Sequence, residues 1–251
     1  MYFKGRARSR IGYSLFLGNF SAMSKQHLVV LTGAGISAES GIPTFRGSDG
    51  LWEGHDIYQV ASPDGWAADP KLVLDFYNMR REKVLEVAPN PGHHILAELE
   101  AHYQVDIITQ NIDDLHERAG STRIMHLHGE IRKARSTANP ALVQDIDGPH
   151  LNWGELCPAG SQLRPHIVWF GEAVPLIEPA AALVASADVF VVVGTSLNVY
   201  PAAGLVQVAR PEIPKYIIDP AVPEVTGVRN LTAIEDVGSR GLAQLRELLL
   251  T

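Results

Sequence analysis

The stretch His27–Ala38, HLVVLTGAGISA, decides the fold. Its first six residues are apolar and β-branched, as is typical of a buried strand, and they run directly into Gly33-Ala34-Gly35. The turn fits the pattern G-x-G-x-x-G/A, in which the first glycine permits a tight turn and the second lets the backbone approach a pyrophosphate. A glycine turn can also serve chain reversal alone, but its place between a strand and a helical stretch favours a dinucleotide site.

Outward from this turn, runs typical of strands alternate with runs typical of helices. The predicted strands are His27–Thr32, Val105–Thr109, Ile124–Leu127, His166–Phe170, Asp188–Val193 and Lys215–Ile218. The predicted helices are Lys71–Val87, His93–His102, Ile112–Ala119, Ile177–Ala185, Ala202–Ala209 and Ser239–Leu250. This alternation predicts an α/β fold with a doubly wound parallel sheet of Rossmann type.

Two segments depart from the alternation. Residues 133–164 have few periodic apolar positions and predict a small lobe inserted at roughly residues 131–165. Residues 1–22 carry four basic side chains and no acidic one, and we interpret them as a non-catalytic extension ahead of a catalytic domain at 23–251. A flexible arm, a targeting segment and residues added before a natural start at Met23 remain open for this extension.

The composition favours some classes of protein over others. Hydrophobic residues make up 46% and charged residues 20% of the chain, as in ordinary soluble globular proteins, and we expect no membrane association. The single cysteine, Cys157, excludes an internal disulfide framework and predicts a cytoplasmic location. A net charge of -7 disfavours nucleic acid and suits lysine-rich protein segments as partners. We expect a monomer.

The residues that follow the glycine turn do not suit a hydride-transfer enzyme. A usual dehydrogenase carries an acidic residue about 20 positions after the turn, at the end of the second strand. Here that region is Gly41–Trp52, GIPTFRGSDGLW, which is too rich in glycine and proline for a strand end. The sequence therefore predicts a dinucleotide site without the layout of a dehydrogenase.

Five blocks of sequence carry a resemblance to a known family. They are Gly33–Trp52 (GAGISAESGIPTFRGSDGLW), Thr109–His116 (TQNIDDLH), His126–Glu130 (HLHGE), His166–Glu172 (HIVWFGE) and Gly194–Ser196 (GTS). In sequence and order these blocks resemble the sirtuins. The resemblance implies an NAD-dependent protein-lysine deacylase, which consumes NAD, releases nicotinamide and transfers the acyl group to ADP-ribose.

The resemblance also implies the roles of individual residues. His128 would be the catalytic base, since a neutral imidazole can take a proton from a ribose hydroxyl; a histidine satisfied by backbone at a strand end is the alternative. Asn111 and Asp113 would complete the catalytic set, although either can also cap a helix that begins near Ile112. The implied cofactor-binding residues are Gly33, Ala34, Gly35, Ile36, Phe45, Arg46, Trp52, Gln110, Asn111, Asp113, Gly194, Thr195, Ser196, Asp219 and Ala233.

A second set of residues suggests which acyl group is removed. Tyr77 and Arg80 are three positions apart in a predicted helix, and small Ala61 lies upstream. Together they resemble the sirtuins that remove succinyl and malonyl groups, because a guanidinium and a phenol can bind a distal carboxylate. A Tyr–Arg pair on an exposed helix face is the alternative. The implied substrate residues are Ala61, Tyr77, Arg80, Ile167, Val168, Phe170 and Gly171.

The chain departs from the family where a structural zinc is usual. Sirtuins hold this zinc with four cysteines, whereas the matching interval here has only Cys157, with Ser136 near the place of another. We therefore predict no metal site and no zinc. The small lobe would be held by packing of apolar residues, for which we name Leu142, Val143, Ile146, Leu151, Trp153 and Leu156.

Two other functions stay open. The same pocket can serve a protein ADP-ribosyltransferase, or the chain can be a catalytically weak module that binds NAD or ADP-ribose. The joint presence of His128, Asn111, Asp113 and Arg46 argues against the binding module, because a mere binder needs no base.

Overall fold

The computed structural model describes residues 25–44, 51–52 and 54–251, so the predicted extension at 1–22 lies outside the described residues. Its strands are β1 (His27–Thr32), β2 (Leu51–Trp52), β3 (His55–Asp56), β4 (Gln104–Thr109), β5 (Ile124–His126), β6 (Gly129–Ser136), β7 (Val143–Asp145), β8 (Leu163–Ile167), β9 (Val189–Val193), β10 (Lys215–Ile218) and β11 (Leu231–Ile234). Its helices are α1 (Gly35–Ala38), α2 (Ile57–Val60), α3 (Pro63–Ala68), α4 (Pro70–Glu86), α5 (Pro91–Leu99), α6 (Leu115–Ala119), α7 (Ile177–Ser186) and α8 (Gly238–Leu250), with a 3-10 helix at Ala202–Gln207. None of these helices combines the length and apolar character needed to cross a membrane.

The main sheet is parallel and winds in both directions from β1. Its six strands follow the order β11-β10-β9-β1-β4-β5, with every neighbouring pair parallel. The chain first builds outward through β4 and β5, and then crosses back to β9 and builds the other way. The direction reverses between β1 and β9, which is the point where doubly wound sheets bind their ligands. The predicted doubly wound fold is confirmed.

Both faces of the main sheet are covered, as the apolar runs require. Successive side chains of a strand point to opposite faces, so Leu28 and Val30 pack on one side while Val29 and Leu31 pack on the other. Helices α5 and α8 cover the first face, and α7 with the 3-10 helix covers the second. This packing fixes the carboxyl ends of β1, β4 and β9 beside one another.

A smaller antiparallel sheet in the order β7-β6-β8 spans residues 129–167, where the sequence predicts the lobe. It packs against α4 through a cluster that includes Leu74, Ala134 and Leu163. The bounds of the strand predicted at His166–Phe170 are wrong, since the strand observed there is β8 (Leu163–Ile167). The strand ends before Trp169, whose backbone N–H donates to the Glu172 carboxylate at 2.8 Å. The segment that follows, residues 168–172, is a loop, which we call the substrate segment.

The predicted core of the lobe needs a correction. Ile146 and Leu151 are buried as expected, whereas four others are exposed by 37 to 56% of their surface: Leu142, Val143, Trp153 and Leu156. Val143 is exposed because it lies in the edge strand β7, whose residues all face solvent, while Leu142 directly precedes that strand. Trp153 and Leu156 lie in the connection between β7 and β8, so apolar character alone misplaced all four. Ser136 and Cys157 are buried instead, and the Ser136 Oγ accepts hydrogen bonds from the backbone of Ala138 and Asn139.

Two further differences concern single elements. The last strand, β11, was not predicted, because its four residues form a short edge strand with half its side chains exposed. The helix predicted from Ile112 begins at Leu115, where the Asp113 Oδ1 accepts a hydrogen bond from the Leu115 backbone. Residues 110–114 are therefore free to form a polar loop at the end of β4.

Candidate functional site

The glycine turn lies against the end of β9, backbone to backbone. The Gly33 N–H donates to the Val193 carbonyl at 3.0 Å, and the Gly35 N–H donates to the Gly194 carbonyl at 2.8 Å. A Cβ on Gly35 would lie 2.6 Å from the Gly194 Cα, so no larger residue fits there. The predicted cofactor residues of these two turns thus meet at one edge of the sheet: Gly33, Ala34, Gly35, Ile36, Gly194, Thr195 and Ser196.

A buried polar network joins this turn to the loop after β4. The Ser37 Oγ donates to the Asp113 Oδ2 at 3.0 Å and accepts from the Asn111 Nδ2 at 3.1 Å. Burial raises the pKa of Asp113, while the Leu115 N–H and the Ser37 hydroxyl partly offset that rise. The network fixes both predicted catalytic side chains. Ser37 was not predicted, although a hydroxyl two residues after the second glycine is the signal that could have found it.

Two buried histidines lie beside this network. The His116 Nε2 lies 3.1 Å from the Thr32 Oγ1, and the His93 and His116 rings are 4.9 Å apart in an edge-to-face arrangement. Burial lowers the pKa of His93 to about 4 and that of His116 well below its ordinary value. Both rings are therefore neutral at physiological pH, and they pack as uncharged supports.

His126 is the last residue of β5 and His128 lies two residues beyond it, and the two rings differ in which nitrogen atoms are engaged in hydrogen bonds. The His128 Nδ1 lies 3.1 Å from the Gln110 carbonyl, which can only accept, so Nδ1 carries the proton and Nε2 keeps its lone pair. Burial lowers the pKa of His128, which keeps the ring neutral at pH 7. His126 contacts the Asn111 carbonyl through Nδ1 and the Glu117 carboxylate through Nε2. Both of its nitrogens are engaged with acceptors, so only His128 presents a basic nitrogen.

Gln110 connects His128 to the edge where the two glycine turns meet. Its Nε2 donates to the Thr195 Oγ1 at 3.1 Å, and its own backbone N–H donates to the Thr32 carbonyl. Because its carbonyl also holds the His128 ring, this one residue links His128 with both turns at the switch point.

The substrate segment is tied to His128 on one side and to the end of α2 on the other. The Val168 N–H donates to the His128 carbonyl at 2.9 Å, and the Phe170 N–H donates to the Ala61 carbonyl at 3.0 Å. Its far end is held by Glu172, which accepts from Arg135 and Arg164. Gly171 lies within the segment with a φ of +90°, and Ile167 is buried at the end of β8.

The predicted acyl residues Tyr77 and Arg80 lie on α4, and Ala61, at the end of α2, belongs to the same buried cluster as Tyr77. Tyr77 and Ala61 are buried, and Arg80 is 9% exposed with its guanidinium carbon 4.2 Å from the centre of the Trp52 ring. The Trp169 Nε1 donates to the Tyr77 Oη at 3.1 Å, and burial raises the pKa of Tyr77. Trp169 was not predicted, although it stands within the HIVWFGE block. Trp52, predicted with the cofactor residues, lies here instead, because β2 and β3 bring it over α4.

Two described residues of the predicted cofactor set, Asp219 and Ala233, are not joined to this geometry. Asp219 follows β10, and its Oδ1 accepts a hydrogen bond from the Ala221 backbone N–H. Ala233 is exposed on the edge strand β11. Phe45 and Arg46 lie outside the described residues. Within residues 25–44, 51–52 and 54–251, no three His, Cys, Asp or Glu side chains group as metal ligands. The absence of zinc stays a prediction.

The chain is similar to proteins of a known family. A family model described as Sir2 family matches residues 33–201 of the 251. The chain belongs to the Sir2 family. A Helicobacter pylori protein named NAD-dependent protein deacylase is 54% identical over 225 residues, covering 90% of this chain and 98% of its own. A protein of the same name from Bacteroides thetaiotaomicron is 50% identical, with 90% and 98% coverage.

Solved structures agree with this assignment to the Sir2 family. The crystal structure of a Sir2 homolog–NAD complex matches with a TM-score of 0.80 at 38% identity, covering 90% of each chain. A structure described as the structural basis for the mechanism and regulation of Sir2 enzymes matches with a TM-score of 0.75 at 36% identity, covering 89% of this chain and 92% of the other. The resemblance to sirtuins that the five sequence blocks carry is thereby confirmed.

Proposed function

We propose that this Sir2 protein removes carboxylate-bearing acyl groups, succinyl and malonyl, in addition to acetyl groups, from lysine side chains of proteins. Its enzyme class is NAD-dependent protein deacylase, the name of relatives that are 50% and 54% identical over nearly their whole length. The observation that carries the acyl preference is that Arg80 and Tyr77 are both buried on α4, where Tyr77 bonds Trp169 of the substrate segment and Arg80 lies over Trp52.

The switch point suits the dinucleotide that this chemistry consumes. Glycines at positions 33, 35 and 194 leave backbone groups rather than side chains at the carboxyl edge of β1 and β9. When bound, NAD would supply an electrophilic ribose carbon and nicotinamide as the leaving group. Asn111 and Asp113, fixed through Ser37, would orient the ribose and amide groups at this edge. The cofactor-binding role of Asp219 and Ala233 stays a prediction.

His128 would move the proton that the acyl transfer requires. Its Nε2 has no hydrogen-bond partner among the described residues, and its Nδ1–H is fixed on Gln110. A neutral imidazole in that tautomer can accept a proton from a ribose hydroxyl, which then attacks the acyl carbon. The lowered pKa keeps the ring in this form at neutral pH.

The acyl pocket is built to recognise a carboxylate. Trp169 already donates to the Tyr77 oxygen, so the phenolic hydrogen of Tyr77 is left to donate elsewhere, and its raised pKa keeps the phenol neutral. The Arg80 guanidinium is oriented over Trp52, and a planar guanidinium binds carboxylates in two-pronged fashion. The small side chain of Ala61 leaves room at the entrance.

Two neighbouring arginines provide the test. Arg80→Met should lower kcat/KM for succinyl-lysine peptides by about 10- to 100-fold, because hydrogen bonds to charged groups contribute about 1.5–3 kcal/mol. Deacetylation should change little. Arg81 donates to the Ile131 and Pro149 carbonyls, so Arg81→Met should lower Tm and leave the succinyl-to-acetyl ratio unchanged. Equal losses of both activities in Arg80→Met would refute the proposed preference.

The same assay separates the remaining alternatives. Nicotinamide release with labelled ADP-ribose on protein, and no loss of peptide mass, would favour a protein ADP-ribosyltransferase. Tight NAD binding without turnover would favour a binding module. A monomeric state and a cytoplasmic location remain our predictions, as do acyl-lysine protein segments as partners.

A further inference from the structure

A hollow on the outer side of the substrate segment takes no part in the chemistry above. Its volume is about 470 Å³, and it opens between the α2–α3 junction and the loop that carries Phe170. The side chains and backbone that line it are Tyr58, Ser62, Pro63, Asp64, Phe170 and Gly171.

The hollow lies where a substrate protein would run, if the proposed function holds. The substrate segment joins His128 through Val168 and joins Ala61 through Phe170. A lysine whose acyl group reaches the Arg80 pocket must therefore enter beside this segment, and its sequence neighbours would lie over Phe170 and Gly171. Gly171 favours that approach, because a side-chain carbon built there would meet nothing within 4 Å.

The charge and the shape of the hollow select one kind of side chain. Asp64 is exposed, and within the described part of the chain no Lys, Arg or His forms an ion pair with it. Tyr58 is 67% exposed, with its ring 6.4 Å from that of Phe170. Aromatic rings accept an aliphatic stem and a cation, and a carboxylate attracts the charged end.

The hollow is also preformed. The Ser62 Oγ donates to the Tyr58 carbonyl and accepts from the Gly65 N–H, which fixes the α2–α3 junction. Ser62 is thereby occupied, leaving Asp64 as the acidic group of the hollow. We propose that this hollow binds a lysine or arginine side chain of the substrate protein, close in sequence to the acyl-lysine.

Asp64 has a second possible role, which makes the opposite prediction. It lies in the first turn of α3, where a carboxylate can simply stabilise the helix end. A residue with that role alone would alter stability and would not alter the ranking of peptides.

The experiment uses acetyl-lysine peptides, so that it does not depend on the succinyl preference. Arginine, glutamine or glutamate is placed in turn at each of the three positions on either side of the acetyl-lysine. For the wild-type protein we expect one position at which arginine lowers KM about two- to fivefold relative to glutamine, with kcat unchanged, the range for an exposed ion pair. The preference should shrink at high salt.

Variants at Asp64 decide the outcome. Asp64→Asn should remove the preference, and Asp64→Lys should reverse it in favour of glutamate. Glu178→Lys is the matched control, because Glu178 is also in the first turn of a helix but α7 packs on β1. Fluorescence anisotropy of labelled peptides gives the same ranking without turnover. A ranking that Asp64→Lys leaves unchanged in both measurements overturns the proposal, whereas binding with the expected ranking but no deacylation would count against the proposed function alone.

Discussion

Gly35→Ala tests whether the two glycine turns at the switch point must touch. The new Cβ would lie 2.6 Å from the Gly194 Cα and 2.9 Å from the Gly194 carbonyl oxygen, about 0.8 Å inside the 3.4 Å of ordinary contact. Both partners are backbone atoms, which cannot rotate away, so the ends of β1 and β9 must separate. The 2.8 Å hydrogen bond from the Gly35 N–H to the Gly194 carbonyl would then lengthen.

Overpacking of this kind costs about 1–3 kcal/mol, which corresponds to a fall in Tm of roughly 2–12 °C for a chain of this size. Because the same edge would carry the dinucleotide, NAD affinity should fall by at least about tenfold, a loss of about 1.4 kcal/mol. Thermal unfolding and isothermal titration with NAD measure the two effects separately.

Gly204→Ala is the matched control. A Cβ at Gly204 would meet its nearest neighbour, a Tyr200 ring carbon, at 3.9 Å, and the residue lies in the 3-10 helix. The same chemical change should therefore be nearly neutral there. A Gly35→Ala protein whose Tm and NAD affinity match those of Gly204→Ala would refute the reasoning.

Three further predictions follow, two on titration and one on metal. Burial lowers the pKa of His128 below 6.5, and the proposed base acts in its neutral form, so kcat/KM for an acetyl-lysine peptide should be constant above that pKa and fall as pH drops through it. His128→Ala should lower the constant value of kcat/KM at least about 100-fold, while His126→Gln should keep the fall at low pH. Burial alone would lower the pKa of His126, but its bond to Glu117 outweighs this and raises it, so the unfolding free energy should lose that pair's contribution as pH rises through the raised pKa, a loss absent in His126→Gln. If the lobe needs no zinc, EDTA should leave Tm within about 1 °C and activity unchanged, and a clear fall in either would contradict the prediction.

The central elements could be predicted because local pattern decides them. The predicted strand at His27–Thr32 coincides with β1, since a β-branched run followed by two glycines permits little else. The parallel arrangement of the strands could be predicted from the alternation of strands and helices alone. By contrast, apolar residues of the lobe misled, because β7 lies at a sheet edge and an apolar side chain such as Val143 stays exposed there.

The support of the site was out of reach for a different reason. Ser37 meets Asn111 across 74 positions of sequence, and Trp169 meets Tyr77 across 92. Such contacts arise only once the sheet has brought distant loops to one edge. The residue types of the motifs indicated the chemistry, whereas the side chains that hold them in place follow from the tertiary structure.

The ties of the substrate segment have an evolutionary consequence. Val168 meets His128 and Phe170 meets Ala61 through peptide groups alone. Every amino acid except proline offers the same N–H, so selection can exchange the side chains at 168 and 170 while His128 keeps its position. The side chains of this loop can therefore diverge by single substitutions, while the backbone hydrogen bonds that hold the loop are kept.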